Sequence, residues 1–286
     1  MTVCFFVTDL HGDRRKYARL LEEIVAREPD LVLLGGDICP SGFGAAADRS
    51  GWEGDFLEDF LAPRLEDLRA GLGGRYPAIV AIQGNDDPAA MEQSLSELED
   101  AGLWTLANMR RVEVGRFSIH GYPYVVPSPF MLKDWERYDV SRYADPGCVS
   151  PEEGMRSAPA KRDPRWATIA EDLAELFEGA ELGRTVLLAH SPPYGGFLDR
   201  AALDGRMIDH VPLDVHIGSI AVRRFIEERQ PLLTLHGHVH ESVRLTGHWK
   251  ERSGRTVSIG GAHDGPELAL VILDLEAPLE ATRELL

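Results

Sequence analysis

The chain has 286 residues, 44% of them hydrophobic, and a formal net charge of −17. That length and apolar content suit one large α/β domain with a substantial core, and no apolar run reaches the roughly 18 residues a membrane span needs. The acidic balance repels polyanions at long range and argues against extended nucleic acid as a partner. The short apolar start, Met1–Val7, lacks the basic region and cleavage site of a signal peptide and reads as a first strand. Three separated cysteines, Cys4, Cys39 and Cys148, point to neither a disulfide framework nor a zinc knuckle, so a cytoplasmic protein is expected.

Val3–Thr8 reads as a buried strand, and Arg14–Arg27 places Tyr17, Leu20, Leu21, Ile24 and Val25 on one helical face. Leu31–Leu34 is a second strand, ending in Gly35-Gly36-Asp37, and a glycine-rich stretch over Cys39–Gly54 follows. A helical pattern then carries Phe56, Leu57, Phe60, Leu61, Leu65 and Leu68, with Pro63 expected to break or kink it. Ala78–Ile82 is a third strand, ending in Gln83-Gly84-Asn85-Asp86-Asp87, and Pro88 suits the first turn of the next helix. Strand–helix alternation implies a largely parallel sheet.

Arg111–Val114 and Arg116–His120 flank Gly115 as a hairpin. Residues 122–165 hold seven of the eighteen prolines and read as an irregular insertion, a rim or lid over a site. Arg165–Phe177 and Ile217–Glu228 are expected helices, and Thr185–Ala189 and Leu232–Leu235 expected strands. Val243–Leu245, Arg255–Ile259 and Leu268–Leu273 finish as strands, expected to be antiparallel. With no internal repeat and no linker, a single domain over 1–286 is expected.

Five apolar strands each end in a polar cluster: Asp9-Leu10-His11, Gly36-Asp37, Gly84-Asn85-Asp86-Asp87, His190, and His238-Val239-His240. In an open α/β sheet the carboxyl ends of strands line the ligand crevice, so clusters distant in sequence converge there. Carboxylate, imidazole and amide donors together suit borderline divalent metals such as Mn, Fe, Ni or Zn. Each cluster alone is weak, Gly-Asp being a common turn dipeptide. The ordered recurrence at strand ends carries the metal-site reading.

In these motifs the chain resembles the calcineurin-like metallophosphoesterases, whose signature runs Asp-x-His, Gly-Asp, Gly-Asn-His-Asp/Glu, His, and Gly-His-x-His. The resemblance spans residues 9 to 240 and implies a four-layer αββα sandwich of two mixed β-sheets with helices on the outer faces. It assigns Asp9, His11 and His240 to one divalent ion and Asn85, His190 and His238 to another, with Asp37 bridging. Such a pair of ions generates a bridging hydroxide that attacks phosphorus in line, because a divalent metal lowers the pKa of water from 15.7 to roughly 7. The ions also offset the charge on the phosphate oxygens.

The chain departs from that signature at Asp86, where the family carries histidine. Three roles are open to Asp86: a structural hydrogen-bonding group, a metal or water ligand, or a general acid. The acid role needs a pKa raised from about 3.9, against the pull of neighbouring cations. Asp87 is expected to orient a histidine ligand from behind. Tyr194, in the rigid Ser191–Gly196 loop, is a candidate substrate contact, and Lys133 and Arg137 either meet a second phosphate or lie on a solvated face. His120 and His263 are candidate rim residues, His236 packs, and His210, His216 and His248 are expected on the surface.

The expected activity is hydrolysis of a small phosphate ester, nucleotide-derived esters among the candidates. A phosphodiester is favoured over a monoester, since loss of the histidine weakens assistance to the leaving group. Two rivals stand beside it: a metal-binding interaction scaffold whose catalysis is lost at Asp86, and a non-hydrolytic metalloenzyme on the same ligands.

Overall fold

The computed structural model describes residues 2–40 and 55–286. Most of the glycine-rich stretch, residues 41–54, lies outside the described residues. One six-stranded sheet contains β1 (Val3–Val7), β2 (Leu31–Gly35), β3 (Ala78–Ile82), β4 (Thr105–Leu106), β13 (Ala269–Asp274) and β14 (Thr282–Leu285), in the order β14-β13-β1-β2-β3-β4. The strands β1 to β4 run parallel, and β13 and β14 join antiparallel at one edge. A second sheet contains β5 (Arg111–Val114), β6 (Phe117–Tyr122), β7 (Thr185–Ala189), β10 (Leu233–His236), β11 (Lys250–Ser253) and β12 (Thr256–Gly260), in the order β11-β12-β10-β7-β6-β5.

Period-two alternation makes the layers. In β1, Phe5 and Val7 point to an outer core with Tyr17, Leu20 and Ile24 of α1 (Arg14–Arg27) and Leu65 and Leu68 of α2 (Ala62–Leu72). Cys4 and Phe6 point the other way, into a layer shared with Ile119, Val186, Leu188, Leu233 and Leu235 of the second sheet. The far face of that second sheet, through Leu187 and Ala189, meets Leu173 of α4 (Ile169–Leu176) and Val222 and Ile226 of α5 (Ile220–Arg229). Helices on both outsides and two mixed sheets face to face form a four-layer αββα sandwich. No helix among the described residues is long and apolar enough to cross a membrane.

Several elements differ from expectation for identifiable reasons. Leu57–Leu61 is a π turn, with Pro63 in the first turn of the α-helix that follows it. Pro88 stands just before a 3₁₀ turn over Ala89–Met91 that leads into α3 (Glu92–Asp100). Residues 165–168 are not helical, because the Thr168 hydroxyl accepts from Glu171 N–H and caps α4 there. Ser219 likewise starts α5.

Val243–Leu245 is not a strand: it lies in α6 (Ser242–Thr246), closed by Gly247 at φ 74°. Arg255–Ile259, expected antiparallel, contributes β12, which pairs parallel with β10 and antiparallel only with β11. A small hairpin of β8 (Met207–Ile208) and β9 (Val211–Pro212) turns through Asp209 and His210, both at positive φ.

The insertion over 122–165 is irregular but internally tied. Lys133, fully buried, donates to the Ser128 carbonyl at 2.8 Å and pairs with Glu136 at 2.5 Å. Arg137 grips both Asp172 oxygens at 2.7 Å and covers the Tyr124 ring at 3.8 Å. Neither cation meets a substrate phosphate or a solvated face; each is consumed by a buried carboxylate. Asp139 accepts from Ser219 Oγ and the Ile220 and Ala221 N–H groups, and so holds the start of α5.

Candidate metal centre

The polar strand ends meet on one side of the sandwich. Backbone bonds zip the loop after β1 to the loop after β2: Asp9 N–H donates to the Gly36 carbonyl at 3.0 Å and His11 N–H to the Asp37 carbonyl at 2.7 Å. The second sheet joins them where both Asp9 oxygens accept the His238 N–H, at 3.0 and 3.2 Å. Gly84 permits a close approach. A Cβ there would lie 2.6 Å from the Asp37 nitrogen and 2.7 Å from His190 Nε2.

Two groups of donors result. Asp9, His11, Asp37 and His240 each direct one ligand atom into a set whose members lie within 4.8 Å of one another. Donors bound at about 2.0–2.2 Å to one ion span at most about 4.4 Å, so a contraction of a few tenths of an ångström closes this set on a cation. Within it His240 Nε2 stands 3.1 Å from Asp9 Oδ1 and 3.2 Å from His11 Nε2. Two imidazole nitrogens face to face share one proton or one metal. In the second group His190 Nε2 lies 3.1 Å from Asn85 Oδ1 and 3.2 Å from Asp37 Oδ2, and the His238 ring is 5.4 Å from the His190 ring. Asp37 borders both groups, its Oδ2 also 3.9 Å from His11 Nε2. The first group draws His240 from the second sheet; the second group draws Asn85 from the first.

The electrostatics call for added positive charge. Burial works to raise the Asp9 carboxyl, but the hydrogen bond with His240 and the charges of His240, His190 and His11 outweigh it and hold it well below the usual range. Burial would depress His190, yet Asp37 and Asp9 push it up to about 10. His238, buried and repelled by His190, falls to about 3. Buried carboxylates thus recruit a proton onto imidazole, and a divalent cation fills the same need while displacing that proton. His190 Nδ1 donates to the Gly35 carbonyl at 2.8 Å, so Nε2 is the nitrogen a metal would take in place of that proton. The donor set fits divalent cations.

Asp86 lies at the edge of the cluster, its Oδ2 3.6 Å from His11 Nδ1 and its N–H donating to Asp37 Oδ1 at 2.8 Å. Burial, then the Asp37 charge, raises its pKa. Asp87 does not orient a histidine. Its oxygens accept the N–H groups of Ile38, Cys39 and Gly84, so its lone pairs tie the loops after β2 and β3 together. Burial and the Asp37 charge push it up to about 7 against those bonds.

Tyr194 is outside the donor groups, its hydroxyl donating to Asp214 at 2.7 Å. His120 does not rim the crevice: it is buried and stacked on Phe177 at 4.2 Å, with Nδ1 toward the Leu176 carbonyl. His236 packs between the Ser191 carbonyl and Thr234 Oγ1. His263 follows β12 and pairs with Glu267 at 3.1 Å. His216, expected on the surface, is half-buried against Asp199 at 2.8 Å, while His210 and His248 are exposed.

Two supporting residues escaped the sequence reading. Asn108 brackets Gln83, accepting its N–H at 2.9 Å and donating to its Oε1 at 2.7 Å. Asp134 accepts the Ala89 N–H at 2.8 Å and so anchors the insertion just past the loop after β3. Asn108 carries the same signal as the ligands, a polar residue just past a short apolar strand; Asp134 carries none.

A family model described as calcineurin-like phosphoesterase matches residues 4–242. No curated protein matches the chain. Among solved structures, a protein of Thermus thermophilus superposes with a TM-score of 0.56 at 14% identity, covering 99% of this chain and 98% of that one. A dimetal phosphatase from Danio rerio superposes with a TM-score of 0.53 at 10% identity, covering 99% of this chain and 95% of that one. Another crystal structure reaches 0.61 at 16% identity, covering 99% and 98%. At these identities the likeness carries the fold, and the match to the family model over most of the sequence carries the kinship. The chain belongs to the calcineurin-like phosphoesterases, a family that binds divalent metal ions.

Proposed function

We propose that the chain hydrolyses a phosphate ester with two divalent cations, one held by Asp9, His11 and His240 and the other by Asn85, His190 and His238, with Asp37 shared. The observation that carries this reading is the place of Asp37, whose Oδ2 stands 3.2 Å from His190 Nε2 and 3.9 Å from His11 Nε2. A carboxylate between two donor groups offsets the repulsion of cations about 3.5–4 Å apart. When bound, such ions lower the pKa of water to roughly 7 and screen the phosphoryl oxygens.

The chain's own residues favour a diester. Asp86, beside His11, sets a carboxylate at the edge of the cluster. A monoester brings nearly two negative charges to it at neutral pH, a diester one. Small substrates, nucleotide-derived esters included, suit a protein of net charge −17 better than extended nucleic acid does. The free thiols of Cys4, Cys39 and Cys148 suit a reducing, cytoplasmic setting.

The test compares bis-p-nitrophenyl phosphate with p-nitrophenyl phosphate in the presence of Mn2+. We expect turnover of both, a higher kcat/KM on the diester, and a loss of at least about 100-fold in Asp37→Asn, since even residues that only support metal ligands are worth 10–100-fold. Full metal occupancy without turnover on any ester would return the binding-scaffold reading.

A further inference from the structure

We propose that Asp86 is a positioning residue for His11, an inference that rests on the metal-dependent reading above. An imidazole that ligates through Nε2 carries its proton on Nδ1, and that N–H needs an acceptor to fix the tautomer and the ring. His190 has one in the Gly35 carbonyl at 2.8 Å. His11 has none in bonding range among the described residues: its Nε2 turns to the donor cluster, 3.2 Å from His240 Nε2, while its Nδ1 is buried without a hydrogen-bond partner there. The acidic oxygen facing that nitrogen is Asp86 Oδ2, at 3.6 Å.

That separation is beyond a hydrogen bond and within one small side-chain rotation of it. The Asp86 backbone is fixed, since its N–H donates to Asp37 Oδ1. Its side chain is 38% exposed. Ligation at Nε2 would make Nδ1–H a stronger donor, with the Asp86 carboxylate as its acceptor.

The experiment measures Mn2+ affinity by calorimetry for the wild-type chain, Asp86→Ala and Asp86→Asn, with metal-free thermal unfolding of each as the folding control. Asp86→Ala should weaken binding of one Mn2+ by about 10–100-fold, while Asp86→Asn, which keeps an acceptor oxygen of the same reach, should stay within about threefold of wild type. A generally damaged fold would not be rescued by the amide. Unchanged affinity in Asp86→Ala overturns the inference, and so does an Asn variant as weak as the Ala variant, which would mark a direct charge contact. A wild-type chain that binds no Mn2+ overturns the metal reading and this inference with it.

Discussion

Asp9, His11, Asp37 and His238 all sit in left-handed backbone, at φ 56°, 45°, 49° and 73°. Each such non-glycine residue costs roughly 1–2 kcal/mol, so four of the seven candidate ligands are held where their own preferences would not put them. The cross-loop bonds from Asp9 to Gly36 and from His11 to Asp37 enforce the geometry. Gly84 supplies room rather than strain. We expect Gly84→Ala to cost about 1–3 kcal/mol in urea unfolding, the usual toll of overpacking, and to separate His190 from Asp37. At this scale the sequence showed which residues converge, because each follows an apolar strand. It did not show who partners whom. Asp87 reads like a histidine orienter, and only three converging N–H groups reveal it as a tie between loops. Lys133 and Arg137 read like surface cations because a buried partner such as Glu136 or Asp172 leaves no mark on periodicity.

Central strands were legible as elements because burial on both faces makes them apolar runs. Edge strands were not: β11 reads Lys-Glu-Arg-Ser and β14 Thr-Arg-Glu-Leu, polar sequences that a sheet margin tolerates and benefits from. The segment Val243-Arg244-Leu245 has strand-like alternation, but the left-handed Gly247 closes a helical turn instead. The insertion was legible as irregular and illegible as anchored. Its grip on α4 is the Arg137–Asp172 pair, with Tyr122 and Arg162 also bonded to Asp172. Removing the guanidinium strands a buried carboxylate, so Arg137→Met should lower stability by about 3 kcal/mol, with Arg162 limiting the loss. An Arg137→Met, Asp172→Leu double variant should recover much of it. Denaturant melts of the single and double variants check both; equal destabilisation would mean that the packing of Arg137 on Tyr124 matters more than the charge.

The whole molecule is two sheets closed over a shared apolar layer, with the donor groups at one end of the seam. Cys4, Phe6, Leu33, Val186, Leu188 and Leu235 pack that apolar layer, while the ligand end is held by hydrogen bonds and, in our reading, by cations. Chelation should therefore act locally. Hydrogen exchange after EDTA treatment should quicken at His11 and Gly237, whose amides donate to the Asp37 and His190 carbonyls, and leave β1 and β7 interiors protected. Uniform loss of protection would instead tie metal to global stability.

The same split has a consequence for how activity arises. Neither sheet owns a full complement for either group: the first lacks His240, the second lacks Asn85. A fragment ending at β6 would carry Asp9 and the shared Asp37 but none of His190, His238 and His240. In the reading proposed above, turnover thus needs both halves of the chain in place, and it doubles as a gauge of their closure.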